Sequence, residues 1–548
     1  MRGGALCVSV LAAHAAQAAP DPAVSGGNAP GQPERMVVHM TQRPPILTFP
    51  HANPVGQPIR IGGQENRRSG HQYDWGVFNR GNGEAAGFGP VGRYGVSPWA
   101  EDWSNLRDPK KHDDLFDALK YIPLTRSGNV WISFSGETRL RNWFETRPAL
   151  GTQKPNDSGR FGVRNLYGAD LHIGEHLRFF GQLVNADAGG WGGYGYGSTY
   201  RKRLDAQQAF VEVKWNMLGA KSGFMFGRQQ FLDAPSYMLY ARETPNVPLS
   251  WDGFRAYMVW QRIRIDAWDF VQTDDSDRRM FHDVENYASR LYGFNATWAP
   301  PDFTFMGQKG YSFVDAFYIG YKLNGSAGAI VGPKGAVNGS DTRNNFGMRW
   351  HGIAGPIEFS VGGIWQGGVF RNASNNAPRG VSAYAINSTV GYRLPDQSLH
   401  TFAGIQTDVY SGGNASKSGG TVGTYLSPFN PQTNYLDTTT YMTGSNLISF
   451  APLVRITPFK SVSIQFKYPL FWRDSVNDPV YKSSGYYKFA GNFRGRFVGM
   501  APQVSVAWQI NTHLSWTQYV SRFMTSRALN EAGGASGTYY QSNLVFRF

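Results

Sequence analysis

From Trp131 to the C-terminus, apolar and polar residues alternate with a period of two, which puts successive side chains on opposite faces of a β-strand. In the first such run Ile132, Phe134 and Leu140 share one face, and Ser133, Ser135, Glu137, Arg139 and Arg141 share the other. The split recurs at Ile263, Ile265 and Ala267 against Arg262, Arg264 and Asp266, and at Phe346, Met348 and Trp350 against Arg343, Asn345, Arg349 and His351. Near the end Val462, Ile464, Phe466, Tyr468 and Leu470 oppose Ser461, Ser463, Gln465 and Lys467. About 16 to 18 such runs fit after Trp131, each roughly nine to eleven residues long, as membrane-crossing strands require.

Two-faced strands build either a soluble sandwich, with the apolar face inside, or a membrane barrel, with the apolar face outside. Two features favour the barrel. Aromatic residues punctuate the ends of apolar faces, as at Tyr292 and Trp298 or Tyr384 and Tyr392, and the polar faces mix arginine with carboxylates. Both are expected of lipid-facing girdles around a polar lumen, and closure satisfies every backbone group. The reading is therefore an all-β fold, a transmembrane antiparallel β-barrel of about 18 strands. The Gly/Ser/Thr/Asn-rich stretches 187–200, 410–440 and 476–487 read as long extracellular loops, whereas Ala299-Pro300-Pro301 and Gly355-Pro356 read as tight turns at the opposite rim. In the last strand Tyr540, Leu544, Phe546 and Phe548 alternate with Gln541, Asn543 and Arg547. An aromatic final residue on such a strand resembles the sorting signal of bacterial outer-membrane proteins.

Ahead of the barrel the pattern changes. Residues 1–18 combine Arg2, an apolar run over 5–13 and small residues at Ala16 and Ala18, which reads as a signal peptide. Residues 19–98 form a Pro/Gly-rich basic stretch with no sustained period, expected to be a flexible arm. Within 99–130, a short helical lead-in, Asp113, Leu115, Phe116 and Leu119 have helical spacing that ends before Pro123. The barrel is assigned to 131–548.

Composition sharpens this picture. Only 17% of the 548 residues are charged and 66 are Gly, yet 15% are aromatic; typical globular chains carry about 25% charged residues. No apolar run is long enough for a membrane helix, and the mean hydropathy of −0.39 is what averaging lipid-facing and lumen-facing residues produces. The only cysteine, Cys7, lies in the expected leader, so no disulfide or thiolate metal site is expected in the mature chain. The net charge is +14, part of it on the arm at Arg35, Arg43, Arg60, Arg67, Arg68, Arg80 and Arg93.

Specific words in the first half carry a resemblance. They are Asp102-Trp103-Ser104, Asp117-Ala118-Leu119-Lys120-Tyr121-Ile122-Pro123-Leu124, Gly136-Glu137-Thr138-Arg139-Leu140-Arg141, Asp170-Leu171-His172-Ile173-Gly174-Glu175-His176-Leu177-Arg178, Gly181-Gln182-Leu183 and Gln208-Ala209-Phe210-Val211. The most specific are Gly227-Arg228-Gln229-Gln230, Arg242-Glu243-Thr244-Pro245-Asn246 and Trp251-Asp252-Gly253-Phe254-Arg255. With these the chain resembles the alginate-export family of outer-membrane porins. The resemblance implies a monomeric 18-stranded barrel in the bacterial outer membrane, whose positive lumen passes a linear anionic polysaccharide outward. The chain departs from that pattern at Thr244, where glycine is expected, and in the length of its arm.

Inward arginines are the functional candidates, because a guanidinium keeps its charge and offers a planar fork to carboxylates. The candidate pore-lining and substrate-binding residues are Arg139, Arg141, Arg164, Arg178, Arg228, Arg255, Arg262, Arg264, Arg349 and Lys467; Glu137, Asp170, Asp266 and Glu358 are the candidate acidic partners in the lumen. Each arginine is as apt to pair with a neighbouring acid as to touch a ligand. No G-x-S-x-G, G-x-x-x-x-G-K or H-E-x-x-H motif occurs, and His172 and His176 fall at a strand end entering a turn, where they diverge. No enzyme activity, cofactor or metal is expected. The expected partners are an anionic polysaccharide, outer-membrane lipid and lipopolysaccharide, and periplasmic secretion components, with no nucleic acid. Two other readings stand beside export: an uptake porin for small carboxylates or sugars, and an outer-membrane barrel enzyme.

Overall fold

The computed structural model describes residues 71–72, 78, 94 and 98–548, apart from 194, 232–234, 236, 240–245, 396–397, 430–432, 460 and 484. The expected signal peptide and nearly all of the arm lie outside the described residues, as does 242–245 of the family-like words.

Alternation becomes architecture in 18 antiparallel strands that close on themselves. They are β1 (Val130–Thr146), β2 (Asp157–Ile173), β3 (Leu177–Trp191), β4 (Lys202–Met217), β5 (Ala220–Gln229), β6 (Trp251–Val259), β7 (Ile263–Asp274), β8 (Val284–Trp298) and β9 (Gln308–Leu323). Then follow β10 (Gly339–Ala354), β11 (Ile357–Asn372), β12 (Pro378–Arg393), β13 (Phe402–Tyr410) and β14 (Leu447–Phe459). The last four are β15 (Val462–Lys467, resuming at Leu470–Trp472), β16 (Phe497–Met500, resuming at Gln503–Gln509), β17 (Leu514–Thr525) and β18 (Gly537–Arg547). Neighbours in sequence are neighbours in the wall, and β18 pairs with β1 in the register Leu544↔Leu140 and Arg547↔Glu137. Several strands are longer than the nine to eleven residues expected, with β1 and β2 at 17 each. Apolar patterning marks only the membrane-crossing part of a strand, whereas hydrogen-bonded pairing continues beyond it.

The face assignment follows parity. Phe134, Leu140 and Phe144 of β1 are exposed on the outer wall, whereas Glu137, Arg139 and Arg141 are buried inside. Tyr292, Phe294, Tyr318, Phe346 and Trp365 continue an outer aromatic surface across β8 to β11. One rim carries short turns, including 174–176, 218–219 and 355–356, and the other carries the connections 230–250, 324–338, 411–446 and 473–496.

The interior is not polar along its whole length, which corrects the expectation of a wet, polar lumen. Inward positions of β7 run Arg264, Asp266, Trp268, Phe270, and those of β9 run Asp315, Phe317, Ile319, Tyr321 from the short-turn rim. Along β7, and beyond Asp315 on β9, charges give way to aromatic residues toward the other rim, although β1, β2 and β10 keep buried charges there as well, at Glu145, Arg160, Asp341 and Arg343. There Trp251, Trp268 and Phe270 belong to one buried cluster with Tyr237, Met238 and Leu239 from 230–250 and with Phe429, Tyr435 and Tyr441 from 411–446. Period two reports which side of the wall a residue takes; it carries no information about a connection that folds back inside.

At the short-turn rim, residues before β1 pack as a separate cluster of Tyr94, Trp103, Leu106 and Tyr121 against Trp131. The helical spacing around Leu115 appears as a 3₁₀ helix, Leu115–Leu119, started by a reciprocal cap between Asp114 and Asp117.

Candidate functional site

The candidate residues are set by parity on neighbouring strands, which brings opposite charges together across the inner wall. Glu137 of β1 lies between two guanidiniums: Arg164 of β2 donates Nε at 3.0 Å, and Arg547 of β18 approaches at 2.7 Å. Asp266 of β7 likewise bridges Arg255 of β6 at 2.7 Å and Arg264 of its own strand at 2.6 Å. Glu358 of β11 holds Arg393 of β12 at 3.1 Å and Arg455 of β14 at 3.2 Å. These three carboxylates each serve two arginines.

Other pairs are one to one or acid-rich. Arg178 meets Glu212 at 2.8 Å and has Asp170 at 3.8 Å. Arg349 donates Nε to Asp315 at 2.8 Å, and His351 reaches the same carboxylate at 3.1 Å. Arg228, half-buried, pairs with Asp252 at 2.9 Å. Two arginines find amides: Arg139 donates to Asn246, and Arg141 to Asn543 Oδ1. Lys467 donates to the Tyr435 carbonyl in the 411–446 connection. Arg262 sits apart. It lies in the turn 260–262 and donates to the carbonyls of Ala299 and Pro300 at 3.3 and 2.8 Å, because β7 begins one residue later than the alternation suggested.

The structure adds residues that the candidate set omitted. Arg343, fully buried, donates to Asp341 at 2.9 Å, to Gln366 at 2.6 Å and to the Thr424 carbonyl at 2.7 Å. Arg160 pairs with Glu145, which also accepts from Tyr441 at 3.0 Å. Parity could have flagged all of these wall residues, since Asp341 shares the face of Arg343, and Glu145 that of Arg141. Asn246 had no such signal, because it lies in an aperiodic connection. Among the described residues, buried basic and buried acidic side chains are nearly equal in number, so the buried charges are close to balanced as a whole.

The connections add their own electrostatics. Lys202 at the start of β4 is held by Asp275, at 3.0 Å, and Asp283 from the 275–283 connection. Burial raises the Asp283 carboxyl to about 6, against the opposing pull of the Lys202 charge. In 473–496, burial also raises Asp478, and hydrogen bonds from Thr424, Gly413 and Tyr481 work against that rise. A cavity of about 520 Å³ opens between the 324–338, 411–446 and 473–496 connections and β10, lined in part by Arg343, Arg379, Lys482, Lys488 and Tyr486.

His172 and His176 do diverge. His172 stacks on Trp131 with ring centres 3.8 Å apart, and His176 bonds the Lys214 carbonyl at the rim. No group of three or more potential metal ligands occurs among the described residues.

No curated protein matches this chain. Solved structures of similar shape include OccK11 (OpdR) of Pseudomonas aeruginosa, with 9% identity over 76% of this chain and 96% of that one at a TM-score of 0.47. OccAB4 of Acinetobacter baumannii shares 8% identity over 76% and 98% at 0.47. A BenF-like porin from Pseudomonas fluorescens Pf-5 shares 9% over 76% and 98% at 0.46. These likenesses are too distant to bear on what this chain carries. The family model described as alginate export, by contrast, matches residues 130–543, from the first residue of β1 into β18. An apolar outer wall around a closed barrel, with this match along nearly its whole length, makes the chain a bacterial outer-membrane channel that belongs to the alginate export family.

Proposed function

We propose that the barrel exports an anionic polysaccharide of the alginate class, with the rim of long connections facing the cell exterior. The observation that carries this reading is the repeated arrangement of one carboxylate between two guanidiniums, at Glu137, Asp266 and Glu358. Each such arrangement sets two guanidiniums on one carboxylate inside a low-dielectric wall, where fields are stronger than at a solvated surface. A carboxylate on a passing polymer is attracted to each cluster in turn. No cluster offers it an unshared guanidinium, so the attraction stays weak enough for release.

Arg139, Arg141, Arg164, Arg178, Arg228, Arg255, Arg264, Arg349 and Lys467 serve this function as much by fixing the wall and the inner connections as by contacting polymer. Arg262 contributes only to the rim. The family is one of export channels.

Planar-bilayer recordings test the proposal. Anion-selective conductance that uronate oligomers block is the expected result, and a strongly cation-selective pore would overturn it. Uptake of a small carboxylate or sugar is the second reading, favoured by the 520 Å³ cavity, whose size suits one small solute rather than a chain. Saturable block by a monomeric sugar acid, with none by oligomers, would select it.

A further inference from the structure

We infer that the segment preceding β1 is a plug seated in the short-turn mouth of the channel, latched by Trp99 against Arg178. The contacts that define it come from six places around the wall. Trp99, 3% exposed, meets Phe210 of β4 edge-on at 6.0 Å. The Arg178 guanidinium of β3 lies over the Trp99 ring at 5.4 Å and donates to the Trp99 carbonyl. Lys120, fully buried, donates to the Phe134 carbonyl of β1 at 2.9 Å and sits 4.9 Å from the ring centres of both Tyr94 and Trp103. Phe116 stacks on Phe548 at the end of β18 at 4.7 Å, and Asp114 accepts from His513, in the β16–β17 turn, at 2.9 Å. Further round, Phe78 is buried 6.1 Å from Phe313 of β9.

The wall residues in that set lie near the short-turn end of their strands, except Phe210 at the middle of β4, and Arg178, Phe210 and Phe313 face inward. The described residues of the segment therefore sit inside the mouth rather than along its outside. Phe78, Trp99 and Phe116 meet the wall with aromatic rings, so seating them removes apolar surface from water. Its polar holds include Asp114 on His513, Lys120 on the Phe134 carbonyl and the Trp99 carbonyl on Arg178, whose charge is already balanced by Glu212 and Asp170. Losing the Trp99 carbonyl would leave that arginine still paired. The Trp99 latch can thus open without stranding the Arg178 charge.

The test does not depend on what the channel carries, so failure of the export reading and failure of the plug are distinguishable. In a Cys7→Ser background, which removes the only cysteine, Gln182→Cys is placed on the inner wall beside Tyr94, Pro98 and Glu101. Labelling by a bulky, charged maleimide is then measured on the folded barrel, identified by its heat-modifiable gel migration. With the plug intact the cysteine is protected, and Phe78→Ala/Trp99→Ala speeds labelling on the order of tenfold or more. Equal rates in the two proteins, whether both fast or both slow, overturn the plug. Trp99→Leu, which keeps apolar bulk but loses the ring under Arg178, gives an intermediate rate and takes the place of the double variant if that one does not fold.

Discussion

Arg139 on the inner wall and Asn246 in the 230–250 connection are joined twice: the guanidinium Nη2 donates to the Asn246 backbone carbonyl at 2.9 Å and to its side-chain Oδ1 at 3.0 Å. Arg164 donates to the same carbonyl at 3.2 Å, and Asn246 Nδ2 in turn donates to the carbonyls of Val163, Asp187 and Tyr200. One asparagine thereby ties an inward-folded connection to β1, β2 and β3. Asn246→Ala removes the side-chain half of this junction. The expected loss is roughly 2–4 kcal/mol of anchoring, from several hydrogen bonds at about 1 kcal/mol each. It is read as higher single-channel conductance and faster proteolysis within 230–250; unchanged values of both would show that the connection is held elsewhere.

Glu137 closes the barrel electrostatically as well as by register, because it links Arg164 of β2 to Arg547 at the end of β18. Glu137→Ala leaves two buried guanidiniums short of their shared carboxylate, a change that costs about 3–5 kcal/mol when a buried pair loses one member. The heat-modifiable transition of the folded barrel should move to markedly lower temperature. Glu137→Gln, which still accepts hydrogen bonds, should recover part of the loss, and full stability of the alanine variant would refute the assignment.

Gly136 next to it makes room for the final residue. Its N–H donates to the Phe548 carbonyl at 3.0 Å, its own carbonyl accepts from Phe548 N at 3.1 Å, and a Cβ at this position would fall 2.2 Å from the Phe548 ring. Gly136→Ala should therefore displace the C-terminal ring from its stack on Phe116 and cost about 1–3 kcal/mol of overpacking. Truncation of Phe548 in the same background should remove the clash, so the two changes are expected to be non-additive in thermal melts.

The 275–283 connection should respond to pH. Asp283 titrates near 6 when folded because burial favours its neutral form, against about 3.9 for an unperturbed aspartate. A raised carboxyl pKa contributes stability that is present at pH values below about 4 and is lost as pH rises through about 6. Wild type should therefore lose stability relative to Asp283→Asn between those values and change little further above pH 7. Paired thermal melts across that range check the sign, and a difference that is flat or grows in favour of wild type would contradict it.

Much of the wall was legible in advance. Glu137, Arg139 and Arg141 against Phe134 and Leu140 read correctly as two faces, since parity in a strand is a local property that needs no knowledge of the partner strand. The same rule placed Asp266 and Arg264 together but ran one residue too far at Arg262, where the strand has not yet begun. Tyr435, Lys467 and Asp408 show the limit. Lys467 and Asp408 both lie on inward faces, yet what joins them is Tyr435, from a connection without period, which bonds both.

The sequence by itself determined the alternation, hence the closed two-faced sheet, the outward aromatic surface and the family. These follow from side-chain direction and hydrophobicity taken residue by residue. Tertiary structure alone decided which charges meet, how the buried arginines are matched inside the wall by acids drawn from strands and connections, and which segments fill the lumen. Those outcomes depend on strand register and on chain reversals that bring together residues such as Arg139 and Asn246, or Arg178 and Trp99. Separation along the chain carries no trace of such contacts until the barrel closes around them.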